Sequence, residues 1–197
     1  MDKTEDVLFS PAVKAEQTRL GSRAAFEDRE WQSEINDDLR QFLAAIDTFF
    51  FATASADGRP YIQHRGGPPG FLKPIGSHML AFADFAGNRQ YITLGHLKEN
   101  DRAHIFILHY ATQQRLKLWG RARVVEGDAE LMERLVDPTY RAKPQRAIAF
   151  RIEAWDINCR QHIVARYSEA EIAPTVNQLT QRIKELEDEV ARLKGTS

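Results

Sequence analysis

From Arg115 to Glu126 the side chains alternate, with Leu116, Leu118, Ala122 and Val124 interleaved with Arg115, Lys117, Trp119, Arg121 and Arg123. A period of two marks a strand with one apolar face, and the other face of this one is cationic. Such a strand needs neighbours, and the sequence supplies them. TFFFATAS from Thr48 reads as a strand by its aromatic density. Asp57-Gly58 is a hairpin-grade turn, and PYIQHRGG is a second strand leading into a Pro68-Pro69-Gly70 loop. His78 to Asp84, Ala103 to Tyr110 and Ala147 to Asn158 read as the third, fourth and sixth strands, with Arg115 to Glu126 as the fifth. Strands broken by short helices, without repeated βαβ units, predict a mainly β, α+β fold with a six-stranded antiparallel barrel and argue against a doubly wound parallel sheet.

Helical periodicity frames this body. Residues 1–32 are polar, with scattered apolar positions and a break at Gly21, and predict an N-terminal segment of weak helices wrapping the main domain. Ser33 to Ile46 is a better helix, with Ile35, Leu39, Phe42, Leu43 and Ile46 on one face and Asp37 and Asp38 near its positive end. Asp128 to Val136 reads as a short helix and Pro138 to Arg146 as a loop. The main domain is expected over 33–172.

Between His78 and Asn100 an apolar strand (MLAFAD, ending at Asp84) runs into a helix, with Gly87 as the turn and Asn88 as the N-cap. Free backbone N–H groups and the positive helix end favour an anion, which Arg89 in the first turn could grip with its planar fork. The same residues would equally make an ordinary strand–turn–helix with a solvated arginine.

Residues 173–197 are different in kind. Val176, Ile183 and Val190 occupy a positions of a heptad repeat and Leu179, Leu186 and Leu193 occupy d positions. β-branched residues at a with Leu at d favour parallel two-stranded coils, and Arg182 would then face Glu187, and Glu189 face Lys194, across the pair. A helix docking this stripe on its own barrel is the alternative.

The chain has 197 residues, a formal charge of −1 and a single cysteine, Cys159. That length suits one domain with appended helices. The near-neutral charge gives no electrostatic case for nucleic acid or membrane as the main partner, and one cysteine excludes an intramolecular disulfide. With no signal-peptide pattern and no apolar run of membrane length, a cytoplasmic protein is expected. The histidines at 64, 78, 96, 104, 109 and 162 lack H-x-H or H-E-x-x-H spacing, so no metal site is expected. Cys159 has no triad partners nearby in sequence, so no nucleophile is assigned and the catalytic residues are left open.

Four segments in order, YIQHRGGPPGF, AFADFAGNRQYITLGHL, RLKLWGRARVVE and AWDINCRQHIVARY, resemble the pyridoxamine 5′-phosphate oxidase-like flavoproteins, whose fold is the FMN-binding split barrel. The resemblance covers about residues 5–172 and is closest to a branch carrying R-G-G-P-P-G-F, then G-N-R, then N-C-x-Q-H-I, in which His96 stands where an asparagine is expected.

The resemblance implies a homodimer with FMN at its interface and a small-molecule substrate. It implies that Asn88 and Arg89, following the strand that ends at Asp84, hold the phosphate, with Lys117 or Arg115 as a second cation. Gln63, His64, Arg65 and Gly66 would line the flavin ring, Gly66 and Gly67 letting the backbone approach it. Asn158 and Gln161, with Cys159 and His162, would reach the partner's flavin. The Arg-x-His substrate motif near the C-terminus of true pyridoxamine phosphate oxidases is missing, so the resemblance implies an oxidoreductase without naming its substrate. Two other classes share these features: a non-catalytic flavin or haem binder on the same barrel, and a strand-binding barrel using the Arg115-to-Arg123 row with Trp119.

Overall fold

A computed structural model of the chain describes residues 4–158, Asn158 for its backbone only, and residues 161–195. It falls into two compact units, Met1–His109 with Gln114–Arg160, and Tyr110–Gln113 with Gln161–Ser197.

The first unit carries a seven-stranded antiparallel sheet in the order β2-β1-β5-β6-β7-β4-β3. The strands are β1 (Thr48–Ala54), β2 (Pro60–Gly66), β3 (Lys73–Pro74), β4 (Met79–Phe85), β5 (Arg102–His109), β6 (Gln114–Val125) and β7 (Pro144–Asn158). One more strand is present than the six expected: β3 is two residues long and exists by pairing with Leu80 and Ala81 of β4, so it has no periodicity of its own. β7 begins at Pro144, inside the expected loop, because Pro144 and Arg146 pair with Phe85 and Asp84.

Alternation in β6 is as read, with Leu116, Leu118 and Ala122 buried. These side chains join Phe49, Phe51, Leu80, Phe82, Ile105, Ile107, Ile148, Phe150 and Ile152 in one core. Phe51 of β1 meets Phe82 of β4 edge to face with centroids 5.7 Å apart, although β5, β6 and β7 lie between those strands. Strand twist has therefore coiled the sheet until its two halves face each other, which makes it a barrel split between β2 and β3. Gly120 sits where the β6–β7 register shifts, and a Cβ there would lie 2.0 Å from the Arg151 carbonyl oxygen. Only glycine fits that approach.

The helices of this unit are α1 (Thr4–Leu8), α2 (Pro11–Arg19), α3 (Asp37–Ala44), α4 (Ile92–Glu99) and α5 (Ala129–Leu135). Side-chain oxygens cap three of them: Ser10 accepts from Val13 N at α2, Asn36 from Leu39 N at α3, and Asp128 from Leu131 N at α5. α3 buries Leu39 and Leu43 in the core. The N-terminal segment is held by the aromatic group Phe9, Phe26 and Trp31, and Arg29 forms an ion pair with the buried Asp156 of β7 at 2.6 Å.

In the second unit α6 (Glu169–Gly195) is a single long helix with no buried residue. Gln113 donates through Nε2 to the carbonyl oxygen of Ile163 at 2.6 Å, and the Arg166 guanidinium lies 4.8 Å from the Tyr110 ring centroid. No helix among the described residues is long and apolar enough to cross a membrane.

Candidate functional site

Period two in the edge strand β2 decides which of its side chains can meet a ligand. Phe49, Phe51 and Thr53 of β1 face the barrel interior, and their register partners are Arg65, Gln63 and Tyr61. These three line a cleft open to solvent, together with Asp84, Phe85, the 87–91 turn, the start of α4 and Gln145. Ile62 and His64 project from the opposite face and are exposed. His64 Nε2 pairs there with Thr48 Oγ1 at 2.5 Å.

The strand-to-helix turn differs from the expected cap. Asn88 is not the N-cap of α4 and Arg89 is not in its first turn: the helix starts at Ile92 with Tyr91 as its N-cap residue and no side-chain cap. Asn88 instead accepts a hydrogen bond from Gln90 N at 3.2 Å, which folds the turn back on itself. Arg89 and Tyr91 both take left-handed backbone conformations, with φ of 62° and 55°. Non-glycine residues adopt these at a cost of order 1–2 kcal/mol each, and such strain gathers where a backbone is held for a purpose.

Charge is concentrated around the cleft. Asp84, buried at the end of β4, accepts from Nη1 of Arg65, and Arg146 Nε stands 3.9 Å from its other oxygen. Arg146 also reaches the exposed Glu126 at 3.5 Å and Tyr91, 5.8 Å from the ring centroid. The Nε atoms of Arg65 and Arg146 are buried with no hydrogen-bond acceptor among the described residues. Arg89 is exposed and makes no ion pair among the described residues. At the other end of the cleft the buried Thr93 donates to Gln63 Oε1 at 3.0 Å, fixing the amide. Thr93, Tyr61, Gln145 and Arg146 were not singled out by sequence. Continuing the β2 alternation would have found Tyr61; the others enter only through tertiary contacts.

The remaining expected residues lie elsewhere. Arg115 and Lys117 do not line the cleft; they project from the outer face of β6, Lys117 in the cross-strand row His64, Phe50, Phe106, Lys117, Asp156 and Arg115 between Leu108 and Asn158. Burial holds the Lys117 ammonium below the usual lysine range, against the pull of Asp156. In the next row His104 packs edge-on against Trp119 at 5.0 Å, and burial, helped by Lys117, pushes its imidazole down to about 4. Gly67 answers to packing: a Cβ would fall 2.6 Å from the Phe71 ring. A Cβ on Gly66 would lie 3.2 Å from His64 Cε1, a tight contact to which the ring would have to yield. Asn158 is paired in register with Arg115, and its side chain and Cys159 lie outside the described residues. Gln161 is exposed in the second unit. His96, the departure within the G-N-R segment, bonds Thr53 Oγ1 through Nδ1 at 3.1 Å and meets Tyr61 edge-on. Among the described residues no cluster of three His, Cys, Asp or Glu side chains could hold a metal.

Comparison with known proteins agrees with this architecture. The family model described as pyridoxamine 5′-phosphate oxidase matches residues 35–159. Among solved structures, HupZ from Group A Streptococcus superposes with a TM-score of 0.51 at 13% identity, over 67% of this chain and 99% of that one. A Clostridium acetobutylicum protein related to general stress protein 26, of the pyridoxinephosphate oxidase family, gives 0.48 at 16% identity over 68% and 94%. HutZ, the haem storage protein of Vibrio cholerae, gives 0.44 at 16% identity over 62% and 94%. No curated protein matches the chain by sequence.

Proposed function

The chain belongs to the pyridoxamine 5′-phosphate oxidase family, and from that premise we propose that it is an FMN-dependent oxidoreductase acting on a small molecule, with the cofactor phosphate in the cleft between β2, β4 and α4. The observation that carries the reading is the charge imbalance of the cleft. Two guanidinium groups, Arg65 and Arg146, flank the buried carboxylate of Asp84 and each keeps a buried Nε–H without an acceptor among the described residues, while a third, Arg89, lines the cleft with no ion pair among those residues. A buried donor left unmatched costs about 1–3 kcal/mol, and a dianionic phosphate would satisfy both donors and charge. The residues present therefore fit the group.

Arg89 would grip the phosphate from the mouth of the cleft, and Arg65, held by Asp84, would face it from β2. Gln63, its amide fixed by Thr93, would present a defined hydrogen-bonding edge to the flavin ring. When bound, FMN supplies two-electron chemistry that no protein side chain offers. The protein contributes orientation and an access cleft.

The division of residues between faces supports a homodimer. Gln63, Arg65, Asp84, Asn88 and Arg89 line the cleft, whereas His64, Arg115 and Lys117 lie on the outer face of the same sheet. One chain cannot direct both sets at a single ligand; two chains, the outer face of one against the cleft of the other, can.

The test is the visible absorption spectrum of the purified protein, before and after adding FMN, with identification of any chromophore released on denaturation. Twin flavin bands with FMN released are expected. A colourless protein that fails to take up FMN overturns the redox reading, and an iron-porphyrin spectrum would replace it with haem binding.

A further inference from the structure

α6 is an amphipathic helix with no buried residue among those described. Val176, Leu179, Ile183, Leu186, Val190 and Leu193 are between 43% and 63% exposed along one stripe. Most of a helix's stability in a protein comes from packing its amphipathic face rather than from propensity, so such a stripe calls for a cover. We infer that α6 pairs with α6 of a second copy of this chain as a parallel two-stranded coiled coil beginning after Pro174.

The helix has its own start signal. Ser168 and Glu171 form a reciprocal capping box: Ser168 N donates to Glu171 Oε2 at 2.7 Å, and Glu171 N donates to Ser168 Oγ at 3.3 Å. Pro174 inside the helix removes one backbone donor and sets a natural boundary. From Thr175 to Gly195 three heptads remain, a seam of about 30 Å at 1.5 Å per residue.

The occupant is identified by side-chain choice and charge. Every a position in that seam is β-branched and every d position is Leu, which selects two parallel strands over higher-order bundles. In the parallel register Arg182 faces Glu187 and Glu189 faces Lys194, and symmetry doubles both pairs. Within its own helix Arg182 reaches only the exposed Glu185, at 3.1 Å. An antiparallel arrangement with all three heptads overlapped keeps Arg182 opposite Glu189 but sets Glu187 against Thr180 and leaves Lys194 without a charge opposite, so half of the ion pairs are lost. The seam therefore matches itself best in one orientation. Three heptads hold weakly on their own, so the coil adds to an association made elsewhere in the chain and fixes the two copies in parallel.

Cysteine cross-linking of the full chain tests this without reference to any cofactor. In a Cys159→Ser background, Val190→Cys places the two thiols opposite each other in a parallel coil, and Gln181→Cys places them on its outer face. Mild oxidation should give disulfide-linked dimers of the first at least about tenfold faster than of the second. Glu187→Arg added to Val190→Cys should slow cross-linking roughly tenfold, by setting like charges opposite Arg182, and Arg182→Glu added to that should restore it. Equal rates for positions 190 and 181, or no effect of the charge reversal, overturn the inference. A protein that takes up no FMN yet cross-links as described keeps the coil and loses the flavin.

Discussion

Arg65 of β2 donates to Asp84 of β4 although β1, β5, β6 and β7 separate those strands in the sheet. Both side chains are nearly buried, and Arg146 of β7 leans on the same carboxylate. The contact bridges the split in the barrel and organises the candidate site. Removing one partner of such a group strands the others, because a buried charge without a counter-charge costs several kcal/mol. Asp84→Asn is therefore expected to lower unfolding free energy by about 3 kcal/mol in urea titration of the cofactor-free protein. Added FMN should recover part of that loss, since its phosphate supplies the missing negative charge; equal loss with and without FMN would separate Asp84 from the phosphate site.

Arg89 has no ion pair to lose, so its removal should act on the ligand and spare the fold. Arg89→Ala is expected to weaken FMN binding by about 1–3 kcal/mol, roughly five- to 150-fold in Kd, with an unchanged Tm in the absence of cofactor. Flavin fluorescence titration measures the first and calorimetry the second.

His104 makes stability depend on pH. Its imidazole is held near 4 in the fold against about 6.5 unfolded, so between those values the unfolded chain binds the extra proton. Stability is fully present above pH 6.5 and falls as the pH drops toward 4, by up to about 3 kcal/mol from this group. His104→Phe should flatten that part of the profile in urea titrations at pH 7, 5.5 and 4.5.

Two glycines should respond oppositely to a methyl group. Gly120→Ala drives a Cβ into the backbone of β7 and should abolish folding or cost several kcal/mol. Gly95→Ala, in α4 with open space around it, should raise stability by about 0.5–1 kcal/mol. Thermal melts of the two variants separate the cases.

Six of the seven strands, α3, α5 and α6 were legible in the sequence because their signals are local. Alternation in β6, the 3–4 spacing of α6 and the turn at Asp57-Gly58 depend on neighbours a few residues away. The turn that carries Asn88 and Arg89 follows from the motif, but its cap does not: the left-handed backbone at Arg89 and Tyr91 belongs to a loop that delays the helix to Ile92, and nothing in the residues announces it. β3 and the first residues of β7 exist only through their partner β4. Above all, sequence could name Gln63, His64, Arg65 and Lys117 as members of one site but not divide them. That division follows from strand register and from the coiling of the sheet, a twist accumulated over many pairings, which brings Arg65 to Asp84 while turning His64 and Lys117 away.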